Sequence, residues 1–458
     1  MSRIDASIPR VKETRELFDD PLDFLARARA SLGDIFVIRE DRALFSRAED
    51  CAGVVAAFGA ANQQSVLTDS NLFRMPISAA QHILLPENLI NLNQGLHSMQ
   101  GEQHEQHQRV LMHVLSERSN EGRQQMVNAG LRKFAKGWRY DQEINLLDEM
   151  RRLTLEISTR LLFGEQYGES AQLAALAAEY FHARRAVAST FQSPGKTTRA
   201  KLVAIGTSLD DGLRRYVDWS RQHGGATDDG LLRTLSSLDL PPARILSEDE
   251  IVAHSNVLFM SSLEPTAVTL TWTLLILSQL PELRERLRVE IKQVSSKLTL
   301  LDGVINETLR LLTPNALMTR LTSGATRLNS FSIPGRCEIL LSPFLGHREP
   351  ERFTRPDQFI PERWQGPKPS HFVYLPFGGG AHYCVGRSLA THMIKTSLAF
   401  LLQRYDLVLS SDQEVDWKID IVLLPQSDPV MSIRKPNATS VRGGKLIGPV
   451  RQLIDLKS

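Results

Sequence analysis

The sequence predicts a mainly α-helical protein with small β-sheets, on three observations. Apolar residues recur at helical spacing over 21–32, 47–59, 102–116, 122–136, 143–162, 169–189, 198–222, 247–278, 281–296 and 298–312. Strand-like pieces are few and short: Ile35-Phe36-Val37-Ile38, 316–321, Cys337-Glu338-Ile339-Leu340-Leu341 and segments within 405–434. One helix is much longer than the rest. Ser247 with a carboxylate three residues on, Glu250, forms a capping box. Apolar spacing then continues for about thirty residues to Ser278, beyond the ordinary globular mean. Pro281 stops it and opens the next helix.

At 458 residues the chain exceeds the usual single domain, yet no Pro/Gly/Ser-rich linker divides it and no repeat is visible. The net charge of +2 is spread over well-mixed charges, which points away from nucleic acid. Cys51, Cys337 and Cys384 lie far apart, without metal-finger spacing, and an odd, low count suits a reducing compartment. The segment Met1 to Arg10 lacks the apolar run of a signal peptide or membrane anchor. The most apolar stretch, Leu270 to Leu280, is interrupted by Thr, Trp, Ser and Gln and is too short to cross a bilayer. A cytoplasmic protein with no membrane anchor is the expectation.

The chemistry is concentrated at Cys384. It sits in Phe377-Gly378-Gly379-Gly380-Ala381-His382-Tyr383-Cys384-Val385-Gly386, just before a helix opening at Arg387. A cysteine at a helix N-terminus is biased toward thiolate by the macrodipole. Glycines let a flat group lie against the loop, and backbone N–H groups can tune a metal-bound sulfur. Upstream, Glu307 and Arg310 are three apart on one helix face and can pair. Phe359-Ile360-Pro361-Glu362-Arg363-Trp364 stands between them and the cysteine loop.

The spacing Phe-x-x-Gly-x-x-x-Cys-x-Gly resembles the haem-binding signature of the cytochrome P450 family. Glu307-Thr308-Leu309-Arg310 is similar to the family's Glu-x-x-Arg helix, and Pro361-Glu362-Arg363-Trp364 to its meander. The order of elements resembles the cytochrome P450 fold along residues 15–434, with the long central helix over the haem. The resemblance implies a single catalytic domain over 1–435 and leaves 436–458 as a C-terminal extension without an assigned role. It implies haem b with Cys384 as iron ligand, framed by Phe377 and Gly386. It also implies a buried structural triad of Glu307, Arg310 and Arg363. His104, Arg320 and His382 match positions that bind haem propionates. Where bacterial relatives place Arg this chain has Gln108, and Arg109 is expected to substitute.

The long helix departs from the family at Ser261-Ser262-Leu263-Glu264-Pro265-Thr266. Ser261 and Ser262 replace a small pair, Glu264 keeps the acid, and Pro265 replaces the threonine that helps deliver protons. Proline donates no N–H to the carbonyl four residues back, that of Ser261, and disturbs the helix by about 3 kcal/mol. Glu264, Pro265 and Thr266 are therefore the candidate catalytic residues. Thr266 is about 100° round the helix from Pro265. The expectation is that Glu264→Gln impairs oxygen activation while Thr266→Ala is nearly silent. Residues 72–97 are expected to roof the substrate pocket. Residues 176–200, with Phe181, Phe191 and the Ser193-Pro194-Gly195 break, would form its lid. Ala316, Leu317, Met318 and 421–424 would line its sides.

By resemblance the protein is a monomeric haem-thiolate monooxygenase that hydroxylates a hydrophobic small molecule, in the manner of secondary-metabolite tailoring enzymes. It would use O2 and electrons from a ferredoxin and a ferredoxin reductase. Pro265 keeps a peroxide-dependent or otherwise atypical enzyme open as an alternative. Gln108 and Pro265 together keep open a non-catalytic haem-binding module.

Overall fold

The computed structural model describes residues 3–456 except 47, 49, 77–84, 117–122, 189–195, 224–229, 238–245, 294–296 and 437–442. Phe191 and the Ser193-Pro194-Gly195 break thus lie outside the described residues. The first half of the chain carries α1 (Pro21–Leu32), α2 (Ala60–Thr68), α3 (Glu87–Leu92), α4 (Gly101–Val114) and α5 (Gln124–Ala135). It continues with α6 (Leu146–Phe163), α7 (Ser170–Ala188), α8 (Lys196–Gln222) and α9 (Leu231–Ser237). Then come α10 (Glu248–Gln279), α11 (Pro281–Lys292), α12 (Thr299–Leu311) and α13 (Arg387–Arg404).

The central helix is α10. Its Ser247 hydroxyl accepts from the Glu250 N–H at 3.2 Å, and the Glu250 carboxylate accepts from the Ser247 N–H at 2.9 Å. This is the capping box read from the sequence. Downstream of Leu263, α10 is buried nearly all round, as a helix in the middle of a large core must be. It packs against α6, α8, α12 and α13. Pro265 lies inside it, and the helix nevertheless runs as one element of 32 residues.

A five-stranded sheet flanks the helices. Its strands are β1 (Ile35–Glu40), β2 (Gly53–Ala57), β3 (Phe73–Arg74), β5 (Met318–Thr322) and β8 (Cys337–Leu341), in the order β1-β2-β8-β5-β3. Here β4 is Glu143–Asn145, and β6 (Thr326–Leu328) and β7 (Phe331–Ile333) form a hairpin. β2 corrects the helix expected over 47–59. It pairs antiparallel with β1 and parallel with β8, and every residue is buried. A strand covered on both faces shows no alternation, so its run of small apolar residues reads as readily as helix.

The last strands are β9 (Asp406–Leu409), β10 (Gln413–Glu414), β11 (Trp417–Ile419), β12 (Leu423–Pro425), β13 (Val430–Arg434) and β14 (Leu446–Ile447). A boundary at residue 435 is not a packing boundary. β14 adds in parallel to β10. Leu446, Val450, Leu453 and Ile454 are buried in the main core. The Gln279 side chain at the end of α10 accepts from the Leu446 N–H and donates to the Gly444 carbonyl. Gly444 is required there, because a Cβ would lie 1.8 Å from the Ser411 carbonyl oxygen.

Candidate active site

The cysteine loop is shaped by its glycines and by one backbone hydrogen bond. Gly378 and Gly380 have φ of +72° and +66°. A Cβ on Gly380 would lie 1.7 Å from the Leu67 carbonyl oxygen, so no other residue fits. The Cys384 N–H donates to the Phe377 carbonyl at 3.0 Å and closes the loop. The Cys384 thiol is accessible, yet the residue is surrounded by protein, so it stands on the wall of an internal space. Burial raises its pKa, while the Gly386 and Arg387 N–H groups and the Arg387 charge pull it down. Around Gly386 only the sulfur itself, at 3.9 Å, is near the position of a Cβ.

Glu307 on α12 holds the loop's support together. Arg310 donates Nε and Nη2 to its two oxygens at 2.9 and 2.8 Å, and Arg363 Nε reaches Oε1 at 2.9 Å. The Trp364 indole N–H and the Ile360 N–H complete its acceptor sites at 2.9 and 3.0 Å. The remaining Arg310 donors go to the carbonyls of His347, Pro356 and Gln358. Glu307 and Arg310 are fully buried, Arg363 is nearly so, and the charged groups of all three are hydrogen-bonded, as such a site requires. His347, unnoticed in the sequence, continues the chain of bonds. Its Nδ1 meets the Arg310 carbonyl at 3.1 Å and its Nε2 accepts from the Leu375 N–H at 2.8 Å. The triad is thereby wired to the residue two positions before Phe377. Burial pulls the His347 pKa down to about 3 and keeps the ring neutral.

The facing wall is α10. Ser261 is exposed and Pro265 half-buried, whereas α10 from Thr266 to Ser278 is buried throughout. They are four apart, hence on one face. The Ser261 hydroxyl lies 3.3 Å from His97 Nε2. The His104 and His382 rings are 4.2 Å apart, and His382 is two residues from Cys384. These pairs bracket the space between α10 and the cysteine loop.

Glu264 is not on that face. One residue of helix turns it about 100° away, and both its oxygens are taken. Arg151 of α6 donates Nε to Oε2 at 3.0 Å and Nη2 to Oε1, and Arg185 of α7 donates Nη1 to Oε1 at 3.2 Å. Arg185 also pairs with Asp420. In this structure the two arginines hold the Glu264 carboxylate off that face, where it ties three helices together. Thr266 is turned the other way and buried. Ser262 donates to Ser158 of α6 at 3.0 Å, also off the face. Of the three catalytic candidates only Pro265 lines the space.

The residues fit a haem. Arg320 on β5 is buried and, among the described residues, has no carboxylate partner. Its Nη1 donates to the Thr319 carbonyl at 2.8 Å, and burial pulls its pKa to about 10. A stranded cation of this kind suits an anionic side chain of a bound group. His104 and His382 lie beside each other as such groups would need, both with lowered pKa values from burial. Arg109 does not substitute for an arginine at 108. It is exposed, with Nε on the Glu105 carbonyl of its own helix. Gln108 reaches the loop instead, donating to the Ala381 carbonyl at 2.6 Å. Phe377 is half-buried, with the Arg387 guanidinium 5.8 Å from its ring centroid. An open groove along α11, lined by Pro281, Arg284, Arg288 and Leu300, contains none of these residues.

A long buried helix facing a glycine-framed thiol, locked by a Glu-Arg-Arg cluster, defines a haem-thiolate oxidoreductase. The cytochrome P450 family model matches residues 81–431, and the chain belongs to that family. Family membership brings haem with cysteine-thiolate iron ligation. The chain is 28% identical to cyclooctatin synthase of Streptomyces melanosporofaciens over 58% of its own length and 63% of that protein. It is 29% identical to cyclooctat-9-en-7-ol 5-monooxygenase of the same organism, over 59% of this chain and 63% of that one. The fold is that of the retinoic-acid-bound cyanobacterial CYP120A1, with a TM-score of 0.79 at 21% identity, covering 95% of this chain and 99% of that one. Among the described residues no helix is long and apolar enough to cross a membrane.

Proposed function

We propose that this protein is a monooxygenase carrying haem b, which hydroxylates an apolar small molecule of secondary metabolism. O2 is the oxidant, and separate proteins, a ferredoxin and its reductase, supply electrons. The observation that carries this reading is the accessible Cys384 thiol on a loop locked through Glu307, facing the Ser261–Pro265 side of α10. Bound haem supplies the oxidising chemistry, with the thiolate favouring O–O cleavage. Cys384 would hold the iron, and Arg320, His104 and His382 the propionates. Gln108 fixes the loop carbonyl beside them. The likeness to the two cyclooctatin enzymes supports a substrate of secondary metabolism.

Protons at this face cannot come from Glu264 while Arg151 and Arg185 hold it. The protic group on the face is the Ser261 hydroxyl, with His97 Nε2 beside it. Pro265 also leaves the Ser261 carbonyl without its N–H four residues on. These facts favour a second reading, a peroxide-dependent enzyme, because the usual threonine hydroxyl is replaced and, among the described residues, no side-chain acid takes its place on this face.

The deciding experiment incubates purified, haem-loaded protein with a small-molecule extract of its source organism. One sample receives ferredoxin, reductase, NADPH and air, and the other only hydrogen peroxide. An oxidised product by mass spectrometry in the first sample supports the monooxygenase. Product in the second alone supports the peroxide reading and removes the electron partners. Cys384→Ser should abolish the carbon monoxide difference band of a haem-thiolate, and a retained band would overturn both.

A further inference from the structure

Arg184 on α7 lies over the same space and is used by nothing described so far. Its Nη1 donates to Asn93 Oδ1 at 2.5 Å and lies 3.7 Å from Met260 Sδ. Met260 directly precedes Ser261 on α10, so the guanidinium sits within a residue of the pocket wall. Its Cζ is 5.8 Å from the centroid of the Tyr180 ring. Asn93 is committed elsewhere: its Nδ2 donates to the Leu89 carbonyl at 2.6 Å and to the Tyr180 hydroxyl at 2.9 Å. All these partners are neutral.

The contrast with neighbouring arginines is sharp. Arg185 holds Glu264 and Asp420, and Arg151 holds Glu264 and Asp148. Among the described residues Arg184 has no carboxylate within ion-pair distance. Arg184 is partly accessible yet surrounded by protein, so its open side faces inward. A buried, unmatched charge is costly and calls for a counter-charge. A guanidinium offers five N–H donors in a planar fork matched to a carboxylate. With Nη1 engaged by Asn93, further donors remain for one.

We propose that Arg184 anchors an anion subsite in the substrate pocket. The substrate then joins an apolar body to one carboxylate-type group. The anionic end would sit on the remaining guanidinium donors of Arg184, beside Met260, and the apolar part would face Ser261, Pro265 and Cys384. The site of oxidation falls in the apolar part. This rests on reading the space between α7, α10 and the cysteine loop as the substrate pocket of a haem-thiolate enzyme.

The test is calorimetric binding to haem-loaded protein with two matched probe pairs: dodecanoic acid against methyl dodecanoate, and abietic acid against methyl abietate. In the wild type at least one acid should bind about ten- to a hundredfold tighter than its ester, the range of a charge-assisted hydrogen-bonded pair. Arg184→Gln should remove that preference and leave ester affinity within about twofold. Arg184→Lys keeps the charge without the fork and should fall between them. Equal affinity for acid and ester in the wild type, binding of neither acid, or an acid preference surviving in Arg184→Gln would each overturn the subsite. The wild-type comparison decides even if the glutamine variant fails to fold. A wild type lacking the haem-thiolate carbon monoxide band would instead overturn the proposed function. With the band present and no acid preference, only the subsite falls.

Discussion

Glu264 and Glu307 are both buried glutamates on helices, and their surroundings give them different work. Glu307 has all its acceptor sites filled within one local cluster, so its role is to hold the cysteine loop. Glu264 reaches across to α6 and α7. Glu264→Gln should lower stability by about 2 kcal/mol, below the usual cost of breaking a buried pair. The discount reflects that Arg151 is 26% exposed and Arg185 keeps Asp420. The thermal midpoint of haem-loaded protein measures this, and an unchanged midpoint would refute the bridging role. His347 and His254 are both held neutral by burial, with pKa values pulled from 6.5 to about 3. The unfolded chain binds these protons first. Stability is therefore full above about pH 6.5 and falls progressively as pH drops toward 3. Unfolding midpoints across that window should show the loss, and His347→Gln should make it shallower. Cys384, Glu307, Arg310 and Arg363 were legible because their partners or motif neighbours follow fixed spacings. Arg151, Arg184, Arg185 and His97 were not, since nothing local marks an arginine whose partner is on another helix.

Pro265 belongs to the behaviour of α10 as an element. The helix passes through it unbroken because packing from four neighbouring helices outweighs the local penalty. Pro265→Ala should restore the N–H to the Ser261 carbonyl and stabilise the fold by about 1–2 kcal/mol. That is less than the full helix penalty, because proline also restricts the unfolded chain. A lower midpoint in the alanine variant would show that the surrounding packing requires the proline. The sequence marked the two ends of α10 through Ser247, Glu250 and Pro281. It did not distinguish β2 from a helix, because a fully covered strand has neither period to display.

The C-terminal segment acts on the whole molecule. Arg348 donates to the carbonyls of Leu311, at the end of α12, and of Leu453. Asp455 pairs through its backbone with Asp357 and Phe359. The intervening Gln358 carbonyl accepts from Arg310. The tail thus braces the strip that receives the buried arginine. Ending the chain at Lys435 should lower the thermal midpoint, because four buried apolar side chains and the β14–β10 pairing are lost. The truncated protein should also retain haem less well, measured as haem content after gel filtration. Full stability and haem content would show the segment to be dispensable.

The sequence by itself determined the mainly helical architecture, the ends of the central helix, the thiol loop and the cluster that locks it. Each is written in residues close in sequence or in fixed spacings, where periodicity, capping and glycine stereochemistry act locally. Only the tertiary structure decided which way each side chain of α10 faces. It paired Glu264 with Arg151 and Arg185, set Ser261 beside His97, and gave Arg184 no carboxylate partner among the described residues. Those outcomes depend on which helices pack against α10, and the pairing of charges across 79 to 113 residues of chain has no local signature.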